Sequence, residues 1–103
     1  MYRIIFAPES RDDLRELRRY IAREASPRIA ARYVDRLLVF CQGLSLAPHR
    51  GEQRISTRPE IRTIGFERRV SIAFLVSDEQ KLVTILGFFY GGRSAESLAR
   101  KKP

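Results

Sequence analysis

The sequence predicts an α+β fold in one domain over 1–103. An N-terminal strand and an antiparallel two-helix hairpin precede a mainly antiparallel three-stranded sheet, packed on that hairpin. Three observations carry this. Residues Glu60 to Arg93 contain apolar runs at Ile61–Phe66, Val70–Val76 and Leu82–Phe89, rich in β-branched and aromatic residues, with short polar breaks. Two segments before them repeat apolar residues at helical spacing. At 103 residues with 44% hydrophobic content, the chain suits one domain with a modest core.

Taken in order, Tyr2–Ala7 reads as the first strand, stopped by Pro8. Ser10 is placed to cap a helix running to about Arg23, with Asp12 and Asp13 at its positive end and Leu14, Leu17, Tyr20 and Ile21 as its apolar stripe. Ser26-Pro27 opens a second helix, with serine at the cap and proline at the first helical position. Its stripe is Ile29, Ala30, Tyr33, Leu37, Cys41 and Leu44, and Ala47-Pro48 ends it. Residues 49–59 read as a polar loop, compatible with a short edge strand around Gln53–Ser56. Arg50, Arg54 and Arg58 fall four apart there and read as solvated loop residues. Ser94 with Ser97 and Leu98 permits one helical turn, and the basic tail within 94–103 is expected to fray.

Composition narrows the function. Lys and Arg number 20 against 12 acids, a net charge of +8. Most of the positive charge is arginine, because lysine occurs only at Lys81, Lys101 and Lys102. This balance suits an acidic or polyanionic partner, with an arginine-rich surface as the plainer explanation. Cys41 is the only cysteine, so no internal disulfide or cysteine-rich metal site is expected. His49 is the only histidine, which argues against a zinc site or a two-histidine relay. The glycines form no phosphate-binding loop. No cofactor and no metal are therefore expected. No apolar run reaches the ~20 residues of a membrane span, and the N-terminal run is too short for a signal peptide, so a cytoplasmic location is expected.

The strands are apolar on both faces. Val70, Ile72, Phe74 and Val76 point one way, and Ser71, Ala73 and Leu75 the other. In the last strand, Val83, Ile85, Gly87 and Phe89 alternate with Leu82, Thr84, Leu86 and Phe88. One helix hairpin covers one face, so the other is expected to meet a partner chain. The plainer alternative is that the turn around Leu98 folds back over it.

The order of strand, helix hairpin, basic loop, three strands and Gly-Gly-Arg resembles the ParE branch of the RelE/ParE toxin superfamily. The resemblance rests on Pro8, Asp12-Asp13-Leu14 and Tyr20-Ile21; on Ala30, Tyr33, Leu44, Pro48 and Gly51; on Ile61-Arg62 and Arg69-Val70; and on the runs 72–76 and 82–93. It implies a toxin of a type II toxin–antitoxin or plasmid-stabilisation pair, one that inhibits DNA gyrase and blocks replication. It also implies neutralisation by a ParD-like antitoxin whose C-terminal region wraps an apolar groove. On this reading Leu75, Val83, Ile85 and Phe89 are the antitoxin-binding candidates. Arg62, Arg68, Arg69, Tyr90 and Arg93 are the target-contact candidates.

Arg93, beyond Gly91-Gly92, is the strongest of these. Arg62 and Arg69 are equally compatible with structural ion pairs to Glu60, Glu67 or a helix acid, and Tyr90 with an edge aromatic. The RelE-like branch cleaves mRNA on the ribosome, using strand lysines and arginines plus a Tyr or His near the C-terminus. No Tyr or His follows Arg93, and arginine is a poor general base, so a non-enzymatic gyrase inhibitor is favoured over a ribonuclease. Direct nucleic-acid binding is a third reading, based on charge alone.

Overall fold

In the computed structural model, residues 1–55, 57–92, 95 and 98 are described. The elements are β1 (Arg3–Phe6), α1 (Pro8–Glu24), α2 (Pro27–Gln42), a 3₁₀ turn (Gly43–Ser45), β2 (Ile61–Phe66), β3 (Val70–Ser77) and β4 (Leu82–Phe89). The four strands form one mixed sheet in the order β1-β4-β3-β2. β2, β3 and β4 are antiparallel neighbours, as expected. β1 joins the sheet by running parallel to β4, from Arg3 opposite Leu82 to Phe6 opposite Ile85. That pairing is non-local and leaves no trace in the local pattern.

The helix starts follow backbone chemistry. Ser26 caps α2 as expected, its Oγ accepting from the Ile29 amide at 3.1 Å, with Pro27 at the first position. α1 differs from expectation. Pro8 itself opens it, after Ala7 in extended geometry. Ser10 lies inside the first turn, buried, and its hydroxyl donates back to the Ala7 carbonyl at 2.7 Å. A proline that ends a strand here also begins a helix, because its missing N–H falls where no helical partner exists. Ile29 is 52% exposed and so lies off the α2 core stripe. The loop's bridge to the sheet is Glu52 with Thr63, their backbone bonds both 2.8 Å, one residue before the expected edge strand.

Leu17, Tyr33, Leu37, Cys41 and Leu44 from the hairpin side pack on Phe66, Ile72, Phe74, Val83, Ile85 and Phe88. Strict alternation would put Phe88 on the opposite face from Ile85. A bulge prevents this. Phe74 pairs with Ile85 and Ala73 with Gly87, which leaves Leu86 as an extra residue. The bulge resets the pleat, so Ile85 and Phe88 both enter the helix-side core while Leu86 and Phe89 turn to the other face.

Beyond the end of β1, the Phe88 amide donates to Asp13 Oδ2 of α1 at 3.1 Å. Gly87 makes room for that carboxylate: a Cβ there would lie 2.9 Å from Asp13 Oδ2 and 3.0 Å from the Phe89 ring. The seam between α1 and β4 thus depends on a glycine for close approach rather than for a special φ.

The second sheet face corrects an expectation. It is covered by the chain itself: Ile55 from the loop and Ala95 and Leu98 pack with Ile61, Ala73, Leu75, Leu86 and Phe89. Among the described residues this face is therefore partly covered by the chain itself, with Leu75, Leu86, Phe89 and Leu98 half-buried rather than open. Ser94 and Ser97, the expected cap and turn residues, lie outside the described residues. No helix among the described residues is long and apolar enough to cross a membrane.

Candidate functional site at the arginine end of the sheet

The β2–β3 connection is a tight three-residue hairpin, Glu67-Arg68-Arg69, between the paired Phe66 and Val70. Glu67 and Arg68 are its central residues, and the Arg69 amide donates to the Phe66 carbonyl at 3.1 Å. Both central residues have positive φ, 49° and 58°, which this turn requires and which glycine or asparagine would adopt more cheaply. Left-handed geometry costs a non-glycine residue ~1–2 kcal/mol. The turn is held from α2. Arg36 Nε and Nη2 donate to the two Glu67 carboxylate oxygens at 2.9 and 3.0 Å. The Arg36 guanidinium also lies 5.2 Å over the Tyr33 ring, which meets Phe66 edge-on. Arg36 holds the Glu67 carboxyl below the usual carboxylate range through that paired hydrogen bond.

With Glu67 engaged, Arg68 and Arg69 stand at the tip as exposed cations with no ion-pair partner among the described residues. Two clefts meet at this tip. One, about 410 Å³, runs along β2 past Arg54, Thr63, Ser71 and Phe89. The other, about 690 Å³, lies between α1, α2 and the turn, over Leu17, Ile21 and Tyr33. Arg68, Arg69 and Tyr90 line both. Tyr90 stacks with Tyr20 of α1, ring centroids 5.5 Å apart. Tyr33 is 8% exposed, and its buried hydroxyl has no hydrogen-bond partner among the described residues, at a cost of ~1–3 kcal/mol. Burial pushes its pKa up, so it holds its proton as a donor.

The structure thus brings three of the five target-contact candidates together: Arg68, Arg69 and Tyr90. Arg62 is elsewhere and differently employed. Its Nη1 donates to the carbonyls of His49, Arg50 and Gly51 at 3.2, 3.4 and 3.5 Å, tying the loop to β2. Arg93 lies outside the described residues. The loop arginines have local partners: Arg54 pairs with Glu52, Arg58 with Glu60, and Arg50 sits 5.3 Å over the Phe40 ring. Of the antitoxin candidates, Val83 and Ile85 are fully buried under the hairpin and offer no surface. Leu75 and Phe89 lie on the other face, in the cluster with Ala95 and Leu98.

Sequence reasoning missed Arg36, Tyr33 and Tyr20 as parts of this end. A polar triplet between two apolar runs signals the turn, but which helix braces it is decided by packing.

The opposite end of the sheet is closed on itself. Asp78 Oδ1 accepts from the Tyr2 hydroxyl at 2.6 Å and lies 2.7 Å from His49 Nε2. The Lys81 ammonium lies 5.2 Å over the Tyr2 ring. The Tyr2 hydrogen bond, then His49, lowers the Asp78 pKa. Cys41 is buried, and burial pushes its thiol up to about 12, so it is packing rather than a nucleophile.

Residues 4–95 match the family model described as the ParE toxin of type II toxin–antitoxin system, parDE. The chain belongs to the ParE toxin family. No curated protein matches it significantly. Among solved structures, a chain of the chromosomal ParDE TA system from P. aeruginosa superposes with a TM-score of 0.74 at 23% identity, covering 87% of this chain and 96% of that one. The isolated E. coli RelE toxin superposes with a TM-score of 0.58 at 16% identity, covering 97% and 98%. At these identities both likenesses show the shared fold. The two-helix, antiparallel-sheet architecture expected from the resemblance is therefore that of the RelE/ParE superfamily, with β1 completing a fourth strand.

Proposed function

We propose that this ParE-family toxin inhibits DNA gyrase in the cytoplasm, blocks replication, and is neutralised by a ParD-like antitoxin. Family membership over residues 4–95 supports the toxin–antitoxin role. The observation that favours a protein target over RNA cleavage is the position of His49. The only imidazole is held by Asp78 at the β3–β4 turn, the far end of β3 from Arg68, Arg69 and Tyr90. A histidine-based ribonuclease needs that imidazole beside the charge-stabilising cations, where arginines, which stay protonated, and the Tyr90 phenol stand instead. Arg68 and Arg69 suit an acidic protein surface, where desolvated arginines contribute strongly.

Supercoiling and cleavage assays with purified gyrase, run beside a reconstituted translation assay, test this reading. Inhibited supercoiling with intact translation is expected; arrested translation with unaffected gyrase overturns it. Co-expression with a ParD-like antitoxin is expected to restore growth.

A further inference from the structure

The two outer edges of the sheet are treated differently. At β2, Thr63 exchanges both backbone bonds with Glu52 at 2.8 Å, and the Ile61 amide donates to the Arg58 carbonyl at 3.0 Å, so the 49–59 loop stands where a further strand would pair. At β1, the Arg3 and Ala7 amides donate inward to the Lys81 and Ile85 carbonyls, both at 2.9 Å. With β1 parallel to β4 in that register, Ile4 and Phe6 turn their N–H and C=O groups outward. Among the described residues these groups have no backbone partner. Unpaired strand groups of this kind are a template for another strand. Beside the same edge, Phe6, Leu14, Val34 and Leu38 line an apolar trough of about 380 Å³, walled along α1 by Arg11, Arg15 and Arg18. A strand laid along β1 would place alternate side chains over that trough. Ile4 and Phe6 pack on the helix-side core, so Arg3 between Tyr2 and Ile4 points to the opposite face, where it is exposed. Arg15 pairs with Asp12, while Arg3, Arg11 and Arg18 have no ion-pair partner among the described residues.

We propose that β1 receives an extended segment of a partner polypeptide as a further strand of the sheet, with apolar residues over the trough and carboxylates beside Arg3, Arg11 and Arg18. The backbone groups of Ile4 and Phe6 hold the guest, and the trough and the arginines select its sequence. Charge argues against a second copy of this chain as the occupant. β1 laid against β1 would bring two sets of these arginines, and two chains of net charge +8, to one seam. The inference deepens the proposed function and rests on it only for the identity of the donor, the ParD-like antitoxin.

The test uses the full chain, ¹⁵N-labelled, titrated with acetyl-Glu-Val-Glu-Val-Glu-amide. The controls are acetyl-Lys-Val-Lys-Val-Lys-amide, acetyl-Glu-Ser-Glu-Ser-Glu-amide, and two forms of the first peptide, methylated at the valine or at the glutamate backbone nitrogens. In the free chain the Ile4 and Phe6 amides should exchange fast and the Arg3, Ile5 and Ala7 amides slowly. The first peptide is expected to give saturable shifts at Ile4 and Phe6 and to slow their exchange about tenfold. The lysine and serine peptides should bind about tenfold or more weakly. One methylated form should lose affinity by a similar factor and the other keep it, because successive amides of a strand point to opposite edges. Arg3→Glu with Arg11→Glu should raise the Kd about tenfold with Tm little changed. Full affinity in both methylated forms, equal binding of the lysine peptide, or shifts at Gly65 in place of Ile4 and Phe6 would overturn the proposal. So would a dimer of the free chain in which the Ile4 and Phe6 amides are already protected. Peptide binding at β1 without rescue of growth by a ParD-like antitoxin leaves the strand site standing and removes the antitoxin as its donor. Rescue by the antitoxin with the Ile4 and Phe6 amides unprotected in the complex removes the site alone.

Discussion

The two ends of the sheet treat their charges in opposite ways. At the β3–β4 end, Asp78 gathers the Tyr2 hydroxyl and His49, and Lys81 lies over the Tyr2 ring. Nearby, Arg62 is occupied by three loop carbonyls. At the β2–β3 end, Glu67 is taken by Arg36, and Arg68 and Arg69 are left exposed beside two clefts. One end is satisfied internally and shapes the fold. The other keeps cations exposed in its turn; both turns hold left-handed non-glycine residues, Glu67 and Arg68 in one and Lys81 in the other, so it is the exposed, unpaired arginines rather than strain that separate the ends. A net charge of +8 is therefore less informative than where the unpaired part of it sits.

The sharpest break of this contrast is Arg68→Ala with Arg69→Ala. If the arginine end carries the target contact, the concentration for half-inhibition of gyrase should rise about 100-fold, roughly tenfold per arginine, with Tm little changed. Equal inhibition would place the contact elsewhere. The next effect is on the fold beneath that end. Gly87→Ala drives a Cβ into Asp13 Oδ2 and the Phe89 ring, so it should destabilise by ~2 kcal/mol in urea unfolding. Asp13→Ala, which leaves the Phe88 amide unpaired, should cost ~1–3 kcal/mol.

A smaller effect has the opposite sign. Arg68→Gly relieves one left-handed residue and should stabilise the chain by ~1 kcal/mol while weakening inhibition. Stability and activity moving apart in one variant would separate the turn's structural strain from its use.

The smallest effect belongs to the satisfied end. Asp78 has a lowered folded pKa, so its contribution is present above the ordinary aspartate pKa. That contribution fades as pH falls through the depressed folded value. Asp78→Asn should therefore flatten the acid side of the Tm-against-pH curve without altering inhibition. Because Asp78 is exposed, solvent screening keeps the effect modest.

Much of this molecule is legible in the chain. The polar triplet Glu67-Arg68-Arg69 between apolar runs places the hairpin turn, and Ser26-Pro27 places the start of α2. The family follows from the order of elements. The site is legible in part: Arg68, Arg69 and Tyr90 are brought together as their positions at strand ends suggest. Arg62 looks equivalent in sequence but is used by the loop, because Gly51, at φ 83°, brings the 49–51 carbonyls against β2.

What the sequence by itself determined is whatever depends on neighbours along the chain: helix caps, strand runs, the turn, and the excess of arginine. Such features need only a few residues to agree with one another. Tertiary structure alone decided the parallel pairing of β1 with β4, the bulge at Leu86 and the bracing of Glu67 by Arg36. The bulge decides the faces of β4. A period-two pattern reads correctly only while each residue has one partner across the ladder, and one extra residue reverses every side chain beyond it. Hence Val83 and Ile85 lie in the helix-side core together with Phe88, while Phe89 lies on the far face. The second face is partly covered by Ile55, Ala95 and Leu98, from segments distant in the chain, because folding buries apolar area wherever the chain can reach it.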